Sequence, residues 1–201
     1  MIRRVPEPQI DGRALRYAHR RPELLAAAIE YVLAHGVGGL SLRPMAAALG
    51  VSHATLLRHF DTKERLLAEV VEQLRRQVFD QIEHDEQLRS ADSAAQLARS
   101  MWSRLADDPS QRRQFIVLAE IYAIGLRNPD RFADLLTASV NDFLGPIEQR
   151  LAADGIAHAR TPALATALLA LIRGLQLDLA ATDDRQRTTA AFDAAVQALL
   201  G

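Results

Sequence analysis

Along the chain, apolar residues recur three and four positions apart and show no sustained alternation, the pattern of helices that each bury one face. Leu25, Ala28, Ile29 and Val32 make one such face, and Leu42, Met45, Ala46 and Leu49 make another. Prolines at 22, 44, 109, 129, 146 and 162 stand near the beginnings of periodic stretches, where a missing N–H costs least, and read as helix starts. Gly36, Gly50 and Gly155 follow periodic stretches, where left-handed caps form, and read as helix stops. The pattern predicts helices over about 22–35, 42–49, 53–59, 63–87, 92–107, 110–127, 129–153, 161–182 and 185–200, with no strand. The expected fold class is all-α, with about nine helices divided between a small three-helix head and a larger helical body.

Composition strengthens the helical reading. Ala and Leu supply 65 of the 201 residues, whereas Val, Ile and Thr together supply 28. Apolar residues are 49% of the chain, enough for a full-sized core. The absence of cysteine excludes disulfide scaffolds, zinc ribbons, iron–sulfur clusters and thiol catalysis. The amino terminus lacks a signal-like apolar stretch, and the longest uncharged apolar run, Thr161 to Ile172, is about half a membrane span. A cytoplasmic protein with no membrane partner is the expectation.

Net charge is only −1, yet it is unevenly spread. Residues 1–76 carry 12 basic against 8 acidic side chains, net +4, and the remainder 12 against 17, net −5. A basic first third suits an approach to a polyanion. Residues 1–21 hold Arg3, Arg4, Arg13, Arg16 and Arg20 without helical periodicity and read as a flexible Arg-rich arm. Twenty-three of the 24 basic residues are Arg; the single lysine is Lys63.

The segment from Ser41 to Leu67 carries the chemistry. It reads as two short helices joined by a tight turn, with Ser41 and Ser52 as caps and Gly50 in the turn. Small Ala46 lets the helices approach, while Val51, Leu56 and Phe60 plug the space between them, which is helix-turn-helix logic. The second helix then presents His53, Ala54, Thr55, Arg58 and His59 to base edges and phosphates. An ordinary helix pair in an α-bundle fits the same spacing.

Leu24-Leu25-Ala-Ala-Ala28, Gly36, Ser41-Leu-Arg43, Met45-Ala46, Leu49-Gly-Val-Ser52, Arg58-His-Phe60 and Lys63-Glu-Arg-Leu66 together resemble the amino-terminal domain of the TetR family of transcriptional regulators, over about residues 22–70. The resemblance implies that Lys63 contacts a DNA phosphate. Physically, Thr62 can cap the helix that Lys63 opens, leaving free N–H groups and an ammonium at a positive helix end. Ser41 matches a family Ser/Thr that caps the preceding helix and touches phosphate. Leu57 departs from the family, which usually has Tyr there, so affinity is expected to rest more on Arg43, Arg58, Lys63 and the arm. The DNA-binding set is therefore Ser41, Arg43, Ser52, His53, Ala54, Thr55, Arg58, His59 and Lys63, within a head at 22–67.

For residues 68–201 the resemblance implies a ligand-binding and dimerisation body, a double-stranded DNA operator, an unidentified small-molecule effector, and a homodimer through 161–200. Trp102, Phe115, Tyr122, Phe143 and Gln176 are the candidate ligand-binding residues, although large side chains on helices also simply fill cores. Arg173, Gln176 and Asp178 interrupt an otherwise very apolar helix, on a ligand, at an interface or on its wet side. No cofactor, metal or catalytic residue is expected: Gly-rich phosphate loop, G-x-S-x-G and His-Glu-x-x-His are all missing. His53 and His59 lack the spacing of helical metal ligands, and the acidic stretch Glu83, Asp85 and Glu86 with His84 reads as a solvated face. The leading expectation is a ligand-responsive repressor released from a palindromic operator. The alternatives are a small-molecule-binding protein or enzyme with a vestigial DNA head, and a helical adaptor for protein partners.

Overall fold

The structure, a computed structural model, describes residues 12–201, including their side chains except those at 12–19, 78, 82, 83, 87 and 131. Among the described residues there is no strand and there are ten helices: α1 (Gly12–His35), α2 (Leu42–Ala48), α3 (His53–Phe60), α4 (Lys63–His84), α5 (Glu86–Arg89), α6 (Ala94–Asp107), α7 (Pro109–Arg127), α8 (Pro129–Ala153), α9 (Thr161–Thr182) and α10 (Arg185–Leu200). The all-α class predicted from periodicity is the one observed, with α5 a single extra turn where α4 was expected to continue to 87.

Punctuation explains most boundaries. Pro109, Pro129 and Pro162 lie in the first turns of α7, α8 and α9. Asp108 caps α7 by accepting from Ser110 N–H at 2.8 Å, and Ser93 caps α6 through Gln96 N–H. Gly36, Gly50 and Gly155 follow the ends of α1, α2 and α8 with φ of +70°, +67° and +79°.

Two prolines behave otherwise. Pro22 and Pro146 are inside α1 and α8 rather than at their starts. As a result the expected flexible arm is corrected in part: residues 12–21 are helical and extend α1 by ten residues, whereas 1–11 lie outside the described residues. The stretch Arg13-Ala-Leu-Arg16 is made of strong helix formers, and Arg21 is anchored by an ion pair to Glu69 of α4 at 2.6 Å. That long-range contact holds the turn preceding the missing Pro22 N–H.

One apolar cluster binds α1 to α4. It includes Leu24, Ala28, Ile29 and Val32 of α1, Met45 and Ala46 of α2, Leu56 and Phe60 of α3, and Leu66 to Leu74 of α4. Leu25, Leu42, Leu49 and Val51, all expected at the core, are only partly buried against it. Val117 and Ile121 of α7 complete the same cluster, so the body helix α7 is part of the wall behind the short helices. A second cluster joins α6, α8, α9 and α10 around Trp102, Leu151, Leu168 and Phe192.

The α1–α2 turn is also tied to α7 by a polar contact. Glu120 accepts the Val37 N–H at 2.5 Å, directly after Gly36. φ is +70° at position 36, where glycine is favoured, and a Cβ there would stand 2.9 Å from the Glu120 carboxylate and push that side chain off its contact. Replacing Glu120 by Ala leaves the part-buried Val37 N–H without its acceptor. Urea denaturation should then show a loss of about 1–3 kcal/mol, and Glu120→Gln, which keeps an acceptor oxygen, should lose less.

Candidate nucleic-acid interface

Gly50 ends α2 in a double hydrogen-bonded turn: its N–H reaches the Ala47 carbonyl at 3.1 Å and Val51 N–H reaches the Ala46 carbonyl at 2.9 Å. The chain then reverses within two residues, and Ser52 starts α3 by accepting from Thr55 N–H at 3.0 Å. Buried Leu56 and Phe60 hold one side of α3 against the core. The opposite side leaves Ala54 and Arg58 exposed and His53, Thr55 and Leu57 half-exposed. Thr55 and Ser52 pair their hydroxyls at 2.8 Å, which fixes both rotamers at the tip of the helix.

His59 is the correction on α3. It is only 7% exposed and lies on the core side, one residue from Phe60, so it is not on the face with His53, Ala54 and Arg58. A 100° step per residue carries position 59 round the helix from position 58. Burial, with Arg21, Arg58 and Arg20 nearby, holds the imidazole below its ordinary titration range.

Arg21 was assigned to the arm and is instead a structural brace. Its Nε donates to the His59 carbonyl at 3.3 Å, its guanidinium lies 5.5 Å from the Phe60 ring centroid, and it pairs with Glu69. A cation thus sits at the carboxyl end of α3, where the helix dipole favours it. Nothing local in the sequence signals this, because its partners are 38 and 48 residues away.

The first turn of α4 is capped by Thr62, which accepts from Arg65 N–H at 3.1 Å, as the sequence predicts. Lys63 Nζ donates to the Leu40 carbonyl at 2.6 Å. The ammonium therefore bridges from α4 to the loop before α2 and stands near Ser41, with two further donors to offer. Ser41 is exposed but its hydroxyl makes no cap hydrogen bond, contrary to expectation, although its backbone occupies the cap position. Arg43 is exposed on the first turn of α2. Exposed Arg65 is occupied by Asp61 at 2.7 Å.

The candidate ligand residues divide. Trp102 is corrected from ligand site to core: it is 1% exposed, stacks on Phe192 at 4.9 Å, and donates its indole N–H to Thr189. Phe115 is half-buried on α7 and Gln176 half-buried on α9. Tyr122 and Phe143 come together around Arg173, whose guanidinium carbon lies 5.4 and 5.9 Å from their ring centroids, and Phe79 of α4 stacks on Phe143 at 5.1 Å. Phe79 was missed because its only signal was an aromatic on a long amphipathic helix. Two open clefts lie elsewhere, one of about 480 Å³ beside Asp85, Arg99 and Arg104 and one of about 390 Å³ beside Glu30 and Arg113. In the acidic stretch Asp85 is held by Arg104, and the Glu83 side chain lies outside the described residues. Among the described residues no group of three His, Asp or Glu is placed to hold a metal.

Two short helices, the second capped by Ser52, braced by α1 and followed by a long helix with a lysine at its start, form a helix-turn-helix head of the kind that docks on DNA. Residues 24–70 match the family model described as bacterial regulatory proteins, tetR family. Over about 90% of its length the chain shares its fold with solved structures. A transcriptional regulator from Rhodococcus sp. Rha1 superposes with a TM-score of 0.75 at 23% identity, covering 90% of this chain and 95% of that one. GusR from Salmonella enterica gives 0.68 at 24%, covering 90% and 94%. NalD, the secondary repressor of the MexAB-OprM multidrug efflux pump in Pseudomonas aeruginosa, gives 0.56 at 23%, covering 90% and 95%. No curated protein sequence matches the chain.

The depressed His59 sets a pH dependence. The unfolded chain binds a proton near the ordinary histidine value and the folded chain resists it, so stability is lost as pH falls below about 6.5. His59→Gln should flatten the urea midpoint against pH between about 6.5 and 5 relative to the parent.

Proposed function

We propose that this chain is a homodimeric, ligand-responsive DNA-binding regulator, a repressor released from a palindromic operator by a small molecule. The observation that carries the reading is α3 itself, capped by Ser52, with His53, Ala54, Thr55 and Arg58 turned away from the core beside Lys63, within the segment that matches the family. In this reading residues 22–67 form the head and 68–201 the body. His53, Ala54 and Thr55 meet base edges; Ser41, Arg43, Ser52, Arg58 and Lys63 meet phosphates. Lys63 takes the phosphate with the donors its Leu40 contact leaves over. No group is assigned a catalytic role, and a cytoplasmic location goes with the reading.

Dimerisation through 161–200 is supported by the outer sides of α9 and α10. On α9, Ala170, Gly174, Leu177 and Ala181 are exposed; on α10, Ala191, Ala194 and Ala198 are. α9 is long and apolar enough to cross a membrane by length and composition, with a mean hydropathy of 1.5, and only 28% of its apolar window is buried within the chain. A second copy of the same hairpin covers these small side chains in a four-helix contact, without a membrane. Two heads then read half-sites about one helical turn apart.

Effector binding among Phe115, Tyr122, Phe143 and Gln176 shifts the heads through α4 and α7. α4 carries Lys63 at one end and Phe79 at the other; α7 carries Glu120 against the head and Tyr122 in the aromatic cluster. The ligand must bind the DNA-incompetent spacing better than the competent one.

Selection of bound duplexes from random DNA should return an inverted repeat, with affinity falling steeply as salt rises. Recovery of no preferred duplex by correctly folded protein in dilute salt would sink the reading. Lys63→Ala should weaken binding to every sequence alike and reduce the salt slope by about one, whereas changes at His53 or Thr55 should alter which sequence is preferred.

A further inference from the structure

From Thr161 to Thr182, α9 carries two charged residues, Arg173 and Asp178. Asp178 is neutralised within the hairpin by Arg187 of α10, at 2.6 and 2.8 Å. Arg173 has no carboxylate partner among the described residues. Its contacts are the Ser139 carbonyl inside α8, at 2.9 Å, and the faces of Tyr122 and Phe143. The nearby acid Asp142 is already held by Arg75 of α4, which also pairs with Glu72. A half-buried guanidinium with five donors thus makes one hydrogen bond, in a setting of aromatic rings where an unbalanced cation is costly.

The geometry points to Arg173 as the anion-recognising residue of the effector site, and to an organic carboxylate with a flat or apolar body as the effector class. The inference rests on the proposal that the body binds an effector at all. The rings of Tyr122 and Phe143 now cover the guanidinium, so an entering ligand must exchange cation–π contacts for something stronger. A carboxylate does so through a paired, charge-assisted contact; a neutral molecule does not. The body of the acid then takes the faces of Phe79, Tyr122 and Phe143. Gln176, three residues along α9 from Arg173, lies on the same side of the helix and supplies an amide.

Calorimetric titration of the full chain with benzoate, 2-naphthoate and octanoate, each beside its neutral amide, tests this. At least one acid should bind at millimolar concentration or tighter, about tenfold or more ahead of its amide. Arg173→Gln should remove that preference, and Arg173→Lys, which keeps the charge but not the planar fork, should leave part of it. Amides binding as tightly as acids, no acid binding, or an unchanged preference in Arg173→Gln would each overturn the assignment. Should Arg173→Gln lose its helical circular dichroism, the acid-to-amide ratio of the parent and the Arg173→Lys titration decide. Retention on the selected duplex, measured in parallel, separates the two readings. An acid that prefers Arg173 without releasing DNA leaves the anion site standing and removes the regulatory coupling. Release by a neutral compound that ignores Arg173 does the reverse.

Discussion

An eight-residue helix has too few internal hydrogen bonds to persist alone in water, so α3 exists because Leu56 and Phe60 are buried against α1, α2 and α4. That burial fixes the rotation of α3 about its own axis. Rotation in turn decides which side chains are available: Ala54 and Arg58 outward, His59 inward. Capping by Ser52 and bracing by Arg21 fix the two ends. A short helix held in one orientation presents a fixed set of side chains to whatever meets its outer face.

The same core ties the head to the rest of the chain. Val117 and Ile121 of α7 are as much a part of it as Ile29 of α1, and Glu120 between them holds the turn that follows α1. α4 likewise begins beneath α3 and ends beside Phe143. Two helices therefore run from the α2–α3 neighbourhood to the aromatic cluster around Arg173. Close-packed cores of this kind respond to a displaced ring by shifting whole helices, because they have little free volume in which to absorb it.

The body distributes polarity sparingly. Its apolar cluster is sealed by the Trp102–Phe192 stack, with the indole N–H satisfied by Thr189. On α9 one charge is balanced within the hairpin and the other, Arg173, is wrapped by aromatics. The outer surface of that hairpin carries a run of exposed alanines with Gly174, small enough for backbones to approach closely.

Much of this was legible in the residues alone. Helix positions, the Gly50 turn, and the Ser52 and Thr62 caps depend on contacts within about four residues, and those are written in order along the chain. The head motif was equally readable, since its elements are consecutive. What the sequence left undecided were contacts between distant positions. Helix α1 runs back through 12–21, with Arg21 paired to Glu69; Ser41 kept its cap position while Lys63 reached back to Leu40; His59 turned inward; Trp102 met Phe192 rather than a ligand. A residue's type and neighbours determine what it can do locally, but which face of its helix meets which other helix is set by packing of the whole chain, and only the tertiary structure decides that.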